Sequence, residues 1–404
     1  MTGTGASPTG EQERISELDV IRGFALFGVV WMNIYGHLGA VVPPSSVQSL
    51  PTAQVDAVAD FLSRWLMLGK AQALFSMLFG FGFAIFHERV VARGLDATRL
   101  YARRLSILFV IGLMHVSLVW AGDILHQYAL AGFLLLLTLR WPDRVLLTAA
   151  LVLSIALMPL LDAVTPLIYA SQAPPWEANW AQAQELRWEV FRQPDYQAYV
   201  ATNLKTTWLE WYSQPFGMII LALVFGRFLL GSWIQRKGWL QNPAAHIGGF
   251  RRYATILLAF GLIISAIRPA LRSLDVLTGN LELTTRVLAD IGMVVLALGY
   301  GAGIVVLCQS GSWRRRLSGL GAVGQMALTN YLTQSFFYLF VLYGFGLGLL
   351  PYLGATLALV LALVVFAAQI AFSRWWLARY RFGPLEWLWR SATYASWQPL
   401  RKQA

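Results

Sequence analysis

Ten apolar runs, each near the ~20 residues a helix needs to cross a bilayer, constrain this chain more than any other feature. They fall near residues 18–38, 70–88, 104–121, 123–140, 145–169, 213–234, 253–273, 286–309, 317–343 and 350–377. Lipid offers no water to backbone N–H and C=O groups, so such runs fold as helices that satisfy those groups internally. The fold class that follows is an all-α integral membrane protein with about ten transmembrane helices. Composition agrees: only 13% of the 404 residues are charged, against roughly 25% in soluble domains. The 17 Trp suit a bilayer boundary, where the ring is apolar and its N–H is wet.

Charge sets the orientation. With the N-terminus inside, the cytoplasmic loops and tails hold Arg14, the Arg89–Arg104 cluster, Arg140 and Arg144, and the Arg236–Arg252 cluster. They also hold Arg314, Arg315 and Arg316 and a basic C-terminal tail, for 21 of the 31 Lys and Arg in all. Every loop on that side is basic, which is the positive-inside pattern for ten spans with both termini cytoplasmic. The setting implied is a bacterial cytoplasmic membrane, with the lipid bilayer as the main partner. The first 17 residues are polar and no cleavable leader precedes the first run, which reads as an anchor that stays. The net charge of +11 lies in short clusters between apolar runs, a distribution that does not point to nucleic acid. The single Cys308 offers no internal disulfide or cysteine metal site, and no zinc signature, Walker loop or nucleophile elbow occurs. No metal and no tightly bound cofactor is expected, and the oligomeric state is open.

Polar residues within the spans demand an explanation, because a charge there costs roughly 2.5–3.5 kcal/mol by insertion scales. Asp19 and Arg22 are three apart on the first span, so they can pair; the alternative is an Asp cap with an Arg that snorkels. The same helix carries Asn33 and His37 on one face, with His37 roughly 22 Å from Arg22 along the axis. The third and fourth spans form a hairpin around His115, Gly122, Asp123 and His126. Asp123 suits an N-cap, or a carboxylate that orients His115 or His126 as a base. At the inner side Arg99, Arg103 and Arg104 open the third span, where they either bind anions or only fix topology. The external segment 170–212 is rich in Trp and reads as an interfacial helix or an aromatic platform.

Several motifs resemble those of the YeiB-like family, bacterial membrane proteins that carry domain of unknown function 418. They are Leu18-Asp19-Val20-Ile21-Arg22-Gly23 with Asn33; Leu74-Phe75-Ser76-Met77-Leu78-Phe79-Gly80; Arg103-Arg104-Leu105; and Trp120-Ala121-Gly122-Asp123-Ile124-Leu125 with Tyr128. Gly324-Gln325-Met326-Ala327-Leu328-Thr329-Asn330-Tyr331 and Phe382-Gly383-Pro384-Leu385-Glu386-Trp387 extend the likeness to the C-terminal half. The organisation read on that basis is a tail at 1–17, a five-helix half at 18–169, the external segment at 170–212, and a DUF418-like half at 213–404. The Asp-x-x-Arg-Gly opening is also similar to that of transmembrane acyltransferases, which pass an acyl group from cytoplasmic acyl-CoA to an acceptor outside. That wider resemblance implies acyl-CoA as co-substrate and a cell-envelope hydroxyl or amine as acceptor. The polysaccharide enzymes of that group place a catalytic His after their Arg with ten residues between; here Asn33 stands there.

The expectation is therefore acyl transfer, with Arg22, Arg103 and Arg104 holding the acyl-CoA phosphates and Asp19, beside Arg22, in the same substrate-binding set. Asn33 and His37, or His115 with Asp123, would act on the acceptor as the catalytic residues. The rivals are a transporter or flippase for a lipid-linked or amphipathic substrate, using Arg227, Asp290, His115 and Asp123, and a non-catalytic membrane component.

Overall fold

The computed structural model describes residues 15–169 and 174–402. The expected N-terminal tail, with Arg14, lies outside these residues up to position 14, as does the stretch 170–173. The chain is all-α, and no β-strand occurs among the described residues.

The helices, in order, are α1 (Ser16–Val41), α2 (Lys70–Ala92), α3 (Ala97–Leu118), α4 (Leu125–Leu137) and α5 (Asp143–Tyr169). A pair of helices that are not spans follows, α6 (Pro175–Val190) and α7 (Tyr196–Thr207). Then come α8 (Phe216–Arg236), α9 (Ile247–Ser273), α10 (Gly279–Cys308), α11 (Ser318–Gln325), α12 (Ala327–Leu342), α13 (Ala355–Leu377) and α14 (Pro384–Tyr394). A shorter helix, Ala53–Leu62, leads into α2 through a bend at Gly69, whose φ of 78° is left-handed.

Eight of these helices are long and apolar enough to cross a membrane, α2 being counted with its leading segment. The other two predicted runs are also helical but depart from a simple span. α4 has 13 residues, about 20 Å at 1.5 Å per residue, which is short of a ~30 Å hydrocarbon core. The run at 317–343 is split at Met326 into α11 and α12. Large apolar side chains such as Leu167, Ile263, Phe340 and Val364 are exposed on the bundle surface, as a lipid-facing protein requires and a soluble one avoids.

α1 runs through the middle and is the most enclosed of the eight. Its approach to α11 depends on glycine. A Cβ at Gly23 would lie 1.9 Å from the Leu320 carbonyl oxygen, and one at Gly324 would lie 2.0 Å from that of Asp19. The crossing of α2 and α8 uses the same device: a Cβ at Gly231 would lie 1.8 Å from the Met77 carbonyl oxygen. Between membrane helices there is little hydrophobic driving force, so such close backbone packing is what holds them together. Gly231→Ala is therefore expected to push α8 off α2 and lower stability by about 1–3 kcal/mol. The check is the apparent melting temperature of the detergent-solubilised protein; an unchanged value would refute the packing account.

The split at Met326 leaves backbone groups of the bundle interior without helical partners, and two C-terminal motifs supply them. Glu386 of α14 accepts from Leu328 N (2.6 Å) and Thr329 N (3.0 Å) through Oε1 and from Thr329 Oγ1 (2.6 Å) through Oε2. Asn330 Nδ2 donates to the Val323 carbonyl at 3.1 Å and to Ser373 Oγ at 3.0 Å. Gln369 Nε2 donates to the Asn330 carbonyl at 2.8 Å. Burial pushes the Glu386 carboxyl above the usual carboxylate range, while the bonds from Thr329 and Leu328 pull it back.

Residues 174–212 fold as a cap on one end of the bundle. Arg187, fully buried, meets Glu210 through two bonds of 2.7 Å and Thr206 Oγ1 at 3.0 Å. Tyr199 Oη donates to the Val119 carbonyl at 2.5 Å and Asn203 Nδ2 to that of Val116 at 2.7 Å. α7 thus sits on the turn that joins α3 to α4, while Gln184 of α6 donates to the Gly39 and Val42 carbonyls at the end of α1. Trp180 of α6 and Trp208, just past α7, are exposed at the surface.

Candidate functional site: a cavity along the bundle

A cavity of about 530 Å³ lies along α1. Its lining changes character from end to end. At the basic end stand six guanidinium groups, those of Arg22, Arg89, Arg93, Arg104, Arg381 and Arg390. The middle is apolar and aromatic, with Phe75, Leu78, Phe79, Phe83, Leu108 and Tyr128. The far end is lined by Asn33, Gln72, Gly122, Ile124, Trp211 and Tyr331. Arg22 and Asn33, both on α1, are eleven residues and hence roughly 16 Å apart along the axis.

The residues singled out from the sequence divide between the cavity and its surroundings. Asp19 and Arg22 line it and pair at 2.9 Å, and Arg22 also reaches the Gly324 carbonyl at 3.5 Å. Arg104 lines it too, with its guanidinium 3.7 Å from the Trp389 ring centroid and 5.7 Å from that of Phe86. This double cation–π contact fixes the side chain while leaving its donors for an anion. Arg103, one residue earlier, is exposed and does not line the cavity. Asn33 lines it, and its Nδ2 is buried with no hydrogen-bond partner among the described residues.

His37, His115 and Asp123 are buried and lie outside the lining. His37 is one helical turn beyond Asn33. It is hydrogen bonded through Nδ1 to the Tyr343 hydroxyl at 2.6 Å and stacked on Trp120 with ring centroids 3.6 Å apart. The structure does not bring it to the other two. His115 and Asp123 do meet, as Nδ1 of the histidine lies 2.8 Å from Oδ1 of the aspartate. His126 joins them, its Nδ1 3.3 Å from Oδ2, and Leu125 N donates to the same oxygen at 2.9 Å. Tyr331 Oη donates to Oδ1 at 2.9 Å.

An ionised carboxylate only accepts, so both imidazoles present Nδ1–H to Asp123, and in the neutral ring Nε2 keeps a lone pair. On His126 that lone pair takes the hydroxyl of Tyr212, 2.8 Å away. On His115, Nε2 has no partner among the described residues. The sequence offered Asp123 as an N-cap or as a partner of His115 or His126, and it did not assign Tyr331, Arg381, Arg390 or Glu386 to a site. Tyr331, Glu386 and Arg390 stood in or beside recognisable motifs; Arg89 and Arg93 read as topogenic charge; Gln72 carried no signal.

The family model described as "Protein of unknown function (DUF418)" matches residues 234–396. A Bacillus subtilis protein described as "Uncharacterized protein YxaH" is 31% identical over 98% of each chain. "Uncharacterized protein YeiB" of Escherichia coli is 27% identical over 94% of this chain and 96% of its own.

Proposed function

The chain belongs to the DUF418 family of multi-pass membrane proteins, and we propose that it acts there as a transmembrane acyltransferase. The acyl donor is a cytoplasmic acyl-CoA and the acceptor a hydroxyl or amine of the cell envelope. The observation that carries this reading is the gradient inside the cavity: six Arg at one end, an aromatic middle, and buried polar groups at the other. An acyl-CoA is a polyanion with a thioester arm, and the gradient matches it group for group. Arg binds phosphates through paired N–H donors, so Arg22 and Arg104 hold the nucleotide end. The apolar middle admits the pantetheine arm and acyl group. The unspent Nδ2 of Asn33 is a donor for the oxyanion that develops on the thioester carbonyl. The positive-inside rule puts the Arg end in the cytoplasm, where acyl-CoA is made.

Acetyl-CoA and longer acyl-CoAs titrated into the purified protein test this. Arg104→Ala is expected to weaken binding at least tenfold, from the loss of roughly 1.5–3 kcal/mol in charged hydrogen bonds. Arg103→Ala, on the exposed side of the same helix, should leave affinity within about twofold. No binding by wild type at any chain length would discard the acyltransferase and favour the transporter. That second reading draws on the length of the cavity and on Arg227, buried in α8 with Nη2 3.2 Å from Met293 Sδ. Transport of an anionic amphiphile would proceed without release of free CoA.

A further inference from the structure

His115 and Asp123 have the composition of a catalytic base, yet neither reaches the cavity: both lie behind its wall, 3% and 0% exposed. Of the cavity-lining residues bonded to Asp123, Leu125 uses its backbone N–H and Tyr331 its side-chain hydroxyl. The Tyr331 side chain lines the far end, and its hydroxyl donates to Asp123 Oδ1 at 2.9 Å. Its ring centroid lies 5.6 Å from that of His115. Asp123 is in turn fixed by His115 Nδ1, His126 Nδ1 and Leu125 N, three donors that do not depend on the tyrosine. The tyrosine is held from the other side as well. It sits two residues after Thr329, whose N–H and hydroxyl are tied to Glu386. A phenol anchored at both ends and aimed at a carboxylate is a preorganised proton carrier.

We propose that Tyr331 is the catalytic residue that takes the acceptor's proton, with Asp123 and His115 as the positioning residues behind it. The proposal rests on the acyltransferase reading. The acceptor oxygen attacks the thioester carbon and a C–O bond forms. As it does, the acceptor proton passes to Tyr331 Oη and the proton of Tyr331 passes to Asp123 Oδ1. The oxyanion, met by Asn33 Nδ2, collapses and the C–S bond breaks. The proton on Asp123 then returns through Tyr331 to the departing thiolate. The sum is acceptor–OH plus acyl-S-CoA giving the ester plus CoA-SH, with the enzyme unchanged. No residue of this set is charged differently at the end.

The test uses the full chain in detergent with acetyl-CoA as donor and water and glycerol as hydroxyl acceptors, following free thiol release. Tyr331→Phe removes one of four donors to Asp123, so acetyl-CoA affinity and melting temperature should stay close to wild type. Its kcat is expected to fall at least 100-fold. In wild type two protons move together, so kcat should depend quadratically on the deuterium fraction of the solvent. Asp123→Asn should lower kcat and make that dependence linear. Retained turnover in Tyr331→Phe, or a linear dependence in wild type, would overturn the proposal while leaving acyl transfer standing. Bound acetyl-CoA that wild type never turns over would overturn it too, because water is an acceptor that such a base would activate. Absence of binding would instead remove the acyltransferase reading and this inference with it.

Discussion

Asp123→Ala is expected to be the most damaging single substitution at the far end of the cavity, destabilising the protein by about 3–5 kcal/mol. The carboxylate is fully buried and accepts from His115, His126, Leu125 N and Tyr331. Alanine would strand all four donors where neither lipid nor solvent can take them, and a buried donor without an acceptor pays its full desolvation. The damage would spread along the chain. His126 holds Tyr212 of the cap, and Tyr331 belongs to α12. The cap and the second half would both lose a tether. Asp123→Asn keeps one acceptor oxygen and should cost much less, since one imidazole can change tautomer to accept from the new amide. The measurement is the apparent melting temperature by intrinsic Trp fluorescence, with yield of monodisperse protein as a second readout. Equal melting of Asp123→Ala and wild type would mean that the four contacts carry no stability.

Glu386→Ala is expected to have the next largest effect, about 2–4 kcal/mol. It would leave Leu328 N, Thr329 N and the Thr329 hydroxyl without their acceptor. Each buried unmet group costs about 1–3 kcal/mol, partly recovered by relaxation. The substitution also removes a negative group from the N-terminal turn of α12, where the helix dipole favours one. Its local signature should be distinct: Trp389 stacks on Arg104 and donates to the Arg104 carbonyl at 2.9 Å. A loosened α14 would thus disturb the basic end of the cavity before the far end. Limited proteolysis of the C-terminal region should accelerate in Glu386→Ala and stay at the wild-type rate in Glu386→Gln, which retains one acceptor. Identical cleavage rates in all three proteins would refute the capping role.

Local features were the legible ones. His115 and Asp123 are eight residues apart across a Gly-containing turn, so their meeting is a short-range event that a hairpin enforces. Asn33 and His37 share a helical face by the same geometry, but packing separates them: Trp120 stacks on His37 and only Asn33 lines the cavity. Arg103 and Arg104 are indistinguishable by charge and differ by about 100° around the helix. Trp389, 285 positions further along, selects Arg104. Tyr331 finds Asp123 across 208 residues, a contact that no spacing rule encodes.

The sequence by itself determined the solvent and therefore the class of fold. Apolar runs of bilayer length leave the backbone no partner but itself, so helices follow from each run without reference to the others. Where a run becomes two helices was decided only in the tertiary structure. No proline marks the division at Met326; it exists because Glu386 and Asn330 take up groups that it frees. The cavity is likewise a property of the assembly. Its six Arg come from five segments of chain, and it is the close crossing of α1 with α11 at Gly23 and Gly324 that holds two of the walls in register. Burial within one segment can be read from that segment alone, whereas the meeting of distant side chains depends on how the helices pack.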